Sequence, residues 1–161
     1  MGIEKGYVEG RLSTIFLDGR PVDDLHAAIV HDGSTLSLSA AMPGLAGASM
    51  RRKGVYASIR STIAYREKGG ADAGHEGSIE VKLFNLVMMD LGPHFFERGI
   101  YLRSDTLAEF IAPLTVDLRT GCRLILFGNR PVPTDDIAGI LKGMGTDPIQ
   151  VFVIRLKDVV S

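Results

Sequence analysis

CRLILFGNRPVPTDDIAGILKGMGTDPIQVFVIRL, residues 122–156, is the stretch on which the reading of the fold turns. CRLILF and IQVFVIRL are apolar runs of strand length. Between them, Thr134 suits a helix cap, with Asp135 and Asp136 in the first turn where the helix dipole favours anions. Ile137, Ile140, Leu141 and Met144 fall at helical spacing, and Gly145 ends the segment. Strand, helix and strand with two buried strands predict a parallel crossover, which would be right-handed.

Upstream, SDTLAEFIAPL places Leu107, Phe110, Ile111 and Leu114 on a helical stripe, with Thr106 and Glu109 spaced as a capping box. A short strand is expected near Ile100–Arg103. SIEVKLFNLVMM predicts a strand that alternates at first and is apolar on both faces from Phe84 to Met89, so it needs two covers. Gly92 and Pro93 argue that GPHFFERG is a turn, because proline breaks the helical hydrogen-bond ladder. EKGGADAGHEG, residues 67–77, is glycine-rich with no apolar anchor larger than alanine, which predicts a mobile loop.

VYASIRSTIAYR alternates as a half-wet strand, and Thr35–Ala41 and Tyr7–Leu17 read as further strands, the latter closed by an Asp18-Gly19 turn. PVDDLHAAIV favours a helix begun at Pro21; its rival is a strand hairpinned to TLSLSA. No internal repeat and no linker is read. The sum is one α+β domain over residues 1–161, with a mixed sheet of about six or seven strands, about three helices and a C-terminal β-α-β unit.

The chain has 161 residues, 45% hydrophobic and 23% charged, and a formal net charge of −1, the composition of a globular domain without a basic excess for nucleic acid. Its single cysteine, Cys122, excludes an intrachain disulfide and reads as a small core residue. No apolar run approaches a membrane span of ~20 residues. With no signal-peptide pattern at the N-terminus, the expected setting is the cytoplasm. A positive mean hydropathy of +0.16 points to a buried subunit interface, hence a homo-oligomer.

MPGLAGASMRRKG, residues 42–54, carries the first functional question. Gly44 and Gly47 follow a strand, the setting of an anion-cradling loop, yet neither the Walker spacing nor a three-glycine dinucleotide turn is present. The rival is a short helix, Leu45–Arg52, stopped at Gly54, with Arg51, Arg52 and Lys53 at the end where the dipole favours cations. Roughly 10 Å of helix would then separate Gly44 from Arg51, so one phosphate could not touch both ends. The guanidinium forks could still hold a carboxylate or phosphate by themselves.

Asp90, His94 and Glu97 are the densest titratable group; on an unbroken helix they would share a face, but the expected turn disperses them and no metal is assigned. His75 and Glu76 lie in the glycine-rich loop. Arg130, beside Asn129 at an inferred strand end, is a second anion candidate. These residues predict a small cytoplasmic enzyme or ligand-binding protein for an anionic small molecule. Arg51, Arg52 and Arg130 would supply charge, and His94 with Glu97 or Asp90 would handle protons; no cofactor is specified. The alternative is a non-catalytic oligomeric accessory protein whose apolar surplus is interface.

Overall fold

Asp18 and Gly19 both adopt positive φ, 50° and 75°, and so close a two-residue hairpin between β1 (Thr14–Leu17) and β2 (Arg20–Pro21). The computed structural model describes residues 3–41, 44–52, 54, 65 and 76–154. It divides the chain into two units, Met1–Pro93 and His94–Ser161.

In the first unit, β1 also pairs antiparallel with β3 (Thr35–Ser39), and β3 pairs parallel with β4 (Glu80–Phe84), giving the order β2-β1-β3-β4. Helix α2 (Gly44–Met50) lies in the crossover from β3 to β4. Leu12, Ile15, Leu17, Val22, Leu38 and Val87 form the core. One end of the sheet is tied by side chains: the Asp18 carboxylate accepts from Thr35 N at 2.8 Å and from Ser34 Oγ at 3.2 Å, and Asp32 accepts from Ser78 N at 2.7 Å.

The second unit holds β5 (Ile100–Arg103), α4 (Ser104–Ile111), a 3₁₀ turn (Ala112–Leu114) and α5 (Thr115–Gly121). It continues with a second hairpin, β6 (Leu126–Phe127) and β7 (Arg130–Pro131), then α6 (Ile137–Gly143) and β8 (Pro148–Val151). Ala108, Ile137 and Leu141 are its buried centre, where α4 meets α6. Ser104 is fully buried and donates from Oγ to Asp147 O at 2.6 Å, which holds the start of α4 to the approach of β8.

The mixed α/β class stands, but not the single sheet of six or seven strands. The described strands form one four-stranded and two two-stranded sheets, with more helices than three. The C-terminal parallel crossover is also overturned. CRLILF contributes only Leu126 and Phe127, because Gly128 (φ 57°) and Asn129 turn the chain straight back, and β8 pairs antiparallel with β5 instead.

Tyr7–Leu17 is not one strand: α1 (Lys5–Gly10) precedes β1. PVDDLHAAIV forms no helix; Val22 N donates to Ile15 O, extending the hairpin, and Asp24 Oδ1 takes His26 N, a local bond that competes with helical pairing. The strand expected through Met89 stops at Phe84. Asn85 (φ 54°) turns the chain, and α3 (Leu86–Arg98) runs through the expected turn with Pro93 inside it. Gly92 lacks the Cβ that would clash with the following proline ring, which lessens the penalty of helical backbone before Pro93.

The strand of VYASIRSTIAYR lies outside the described residues apart from Tyr65, whose N–H donates to Pro21 O at 2.8 Å. The loop 67–77 also lies outside them, except Glu76 and Gly77. No helix among the described residues is long and apolar enough to cross a membrane.

The two hairpins share residues, a likeness that the sequence reading did not single out. Ile15, Arg20, Pro21 and Val22 of the first hairpin recur as Ile125, Arg130, Pro131 and Val132 of the second. The registers match: Phe16↔Pro21 and Leu17↔Arg20 in one, Leu126↔Pro131 and Phe127↔Arg130 in the other. Val22 N donates to Ile15 O just as Val132 N donates to Ile125 O. After each hairpin come an acidic pair (Asp23-Asp24, Asp135-Asp136), a glycine at positive φ (Gly33, Gly145) and a strand, β3 or β8.

Candidate functional site

Helix α2 starts at Gly44, whose φ of 71° only glycine adopts without strain, and Gly47 is buried within it. Arg51 and Arg52 follow its last residue, Met50, so the short capped helix of the sequence reading is present and its cations stand at the C-terminal end. Glycine end and arginine end are therefore separate, and Gly44 and Gly47 join no site with the arginines. Lys53 lies outside the described residues.

Arg52 is fixed by its backbone: its N–H donates to Ser13 O at 2.7 Å, pinning the segment beside the start of β1. Gly54 N then donates to Arg51 O at 3.2 Å, and a Cβ at Gly54 would stand only 3.0 Å from that oxygen, which selects glycine there. With the backbone held, the half-buried Arg52 side chain carries Nε and Nη1 out of solvent, and neither has a hydrogen-bond partner among the described residues. Buried polar groups are nearly always paired, and leaving one unpaired costs about 1–3 kcal/mol, more when it is charged. A guanidinium cannot relieve this by losing its proton. Arg51, by contrast, is exposed.

The Asp90–His94–Glu97 group does reside on one helix, α3, contrary to the expected turn. Asp90 belongs to the first unit, where Tyr7 Oη donates to its Oδ2 at 2.9 Å. That bond joins α1 to α3. Burial first, then the bond to the Asp90 carboxylate and its charge, raise the Tyr7 pKa, with Arg11 opposing. In the second unit His94 Nδ1 stands 3.6 Å from Glu97 Oε2, an ion-pair distance too long for a hydrogen bond, on an exposed imidazole. No group of three histidine, cysteine, aspartate or glutamate side chains among the described residues is placed to hold a metal.

The chain matches no family model, no curated protein and no solved structure.

Arg130 is exposed on the second hairpin, adjoining the turn rather than ending a parallel strand. Cys122 is exposed at the end of α5, not a core residue. The sequence reading passed over Tyr7, Ser13 and Arg20. Ser13 shows no signal in isolation, because its role is a backbone carbonyl. Arg20 had one: the Arg-Pro-Val it shares with Arg130.

Proposed function

We propose that the first unit binds an anionic small molecule, bearing carboxylate or phosphate, through the Arg52 guanidinium. The observation that carries this reading is the burial of Arg52 Nε and Nη1 without partners. An anion in contact with those nitrogens would convert a destabilising charge into charge-assisted hydrogen bonds. The role is binding: Asp90 is engaged by Tyr7, and His94 stands exposed on α3 at a distance from Glu97 too long for a hydrogen bond. A cytoplasmic setting suits a chain with a single, exposed thiol.

The test is thermal unfolding of wild type and Arg52→Met with phosphate, nucleotides and dicarboxylates at constant ionic strength. A bound anion at a hundredfold excess over Kd raises stability by about 2.7 kcal/mol. Arg52→Met should abolish that gain and leave the unliganded protein as stable or more so, since an apolar isostere removes an unpaired buried charge. Absence of any anion-dependent shift in wild type, or its persistence in Arg52→Met, refutes the reading.

The oligomeric accessory role remains as a second reading, favoured by one observation. Phe84, Leu86, Met88 and Met89 are 48%, 56%, 58% and 71% exposed, so the apolar run meant for two covers presents these side chains to solvent. Self-association in sedimentation velocity, without any anion-dependent shift, supports this second reading over the first.

A further inference from the structure

We infer that the two hairpins are copies of one oxyanion-contact element, with Arg20 and Arg130 as equivalent ligand contacts, one in each unit. The inference stands apart from Arg52 and rests on comparing the chain with itself. Much of each hairpin differs between the copies: Phe16-Leu17 stands where Leu126-Phe127 does, and the turn is Asp18-Gly19 in one and Gly128-Asn129 in the other. Arg-Pro-Val is common to both.

Two of these three residues have reasons internal to the fold. Val22 is buried in the first core and Val132 packs against the second. Proline fixes φ and removes a donor at the same register position of both hairpins. Arginine has no such reason. Arg20 and Arg130 are both exposed, and among the described residues neither guanidinium has a hydrogen-bond or ion-pair partner. Arg103 and Arg119, by contrast, are held by Asp105 and Asp135. An unpaired planar fork, held next to a tight turn at the same register in both units, is suited to a group from outside the chain, and its geometry fits carboxylate or phosphate. The Asp18 carboxylate is turned onto Ser34 and Thr35, away from any bond with Arg20.

The experiment is a site-resolved ¹H–¹⁵N titration of the full chain with inorganic phosphate and, separately, succinate, both at constant ionic strength; the two arms identify the preferred oxyanion. The amides of Gly19 and Arg20, and of Asn129 and Arg130, should shift and saturate as the oxyanion is added. The amides at Arg11, Arg98 and Arg123, exposed but outside the hairpins, should need at least about tenfold more ligand. Arg20→Gln and Arg130→Gln should each silence their own hairpin and leave the other unchanged. A uniform response at all exposed arginines, a response at only one hairpin, or persistence in the glutamine variants overturns the inference. Absence of a response at both hairpins of the wild type, with an intact Arg52-dependent stabilisation, refutes this inference alone.

Discussion

Gly99 links α3 to β5 at a φ of 86°, and a Cβ built there would overlap Phe152 Cε1 and stand 2.6 Å from its Cζ and 3.0 Å from Gln150 Nε2. Gly99→Ala therefore meets two penalties of different origin. Left-handed backbone costs an L-residue about 1–2 kcal/mol whatever surrounds it. Forcing a methyl into occupied space typically costs about 1–3 kcal/mol. Phe152 is 51% exposed, so its ring can swing outward, which holds the second term to the lower part of that range. The total is about 2–4 kcal/mol, or a fall in Tm of about 5–15 °C for a chain of this length. Urea denaturation should show a lower midpoint at unchanged slope. In a Phe152→Ala background the ring overlap vanishes, leaving the backbone term and the milder approach to Gln150 Nε2, so the double-mutant cycle should return a coupling of about 1–2 kcal/mol. A Gly99→Ala variant within about 0.5 kcal/mol of wild type would refute the conformational argument, and zero coupling to Phe152 would refute the contact.

Two further outcomes follow from the second unit. Ser104→Ala removes the Oγ bond to Asp147 O, but that carbonyl keeps the Ser104 N–H at 3.1 Å. The loss in urea denaturation should then be about 1 kcal/mol, the scale of one net hydrogen bond, rather than that of an orphaned carbonyl. The bond from Arg103, foremost among the causes, holds the Asp105 carboxyl down at about 2, against 3.8 ordinarily. A depressed acid contributes stability that is present above its unfolded pKa and is lost as pH falls through the folded value. Asp105→Asn should flatten the stability profile between about pH 4 and pH 2, and ¹³C titration of Asp105 at an ordinary carboxylate value would contradict the pairing.

What the sequence disclosed was local, and what it concealed was pairing. Thr35–Ser39, Ile100–Arg103 and the Ser104–Ile111 helix are legible because period, length and flanking residues agree. The cap of that last helix was misplaced: the helix starts at Ser104, ahead of Thr106, with no side-chain cap bond, and Asp105 Oδ1 takes the Thr106 N–H. CRLILF misled because apolar density says that a segment is buried but not which strand it meets; β8 found β5 rather than β6. The helix α3 was hidden by treating Pro93 as a stop, although Val87 packs in the core a turn and a half earlier and helps to hold the helix through it. For the site, the Arg51–Arg52–Lys53 run was visible as charge, yet distinguishing half-buried Arg52 from exposed Arg51 required knowing that Ser13 O anchors the backbone between them.

Pro21 and Pro131 occupy the non-hydrogen-bonded position of their hairpins, one step from the bonded pairs Ile15–Val22 and Ile125–Val132. At such a position a backbone N–H would face away from the partner strand. Proline has none, so each hairpin withholds a donor on that side, and in the first the Pro21 acceptor is already taken by the Tyr65 N–H. A foreign extended segment laid against it meets a gap in every attempted ladder, and fibril growth by strand templating is interrupted where a short, apolar hairpin is most vulnerable. Pro21 O accepts the Tyr65 N–H, so on this side the first hairpin meets a donor of its own chain. The same residue at both positions thus withholds a backbone donor from the outer side of each hairpin.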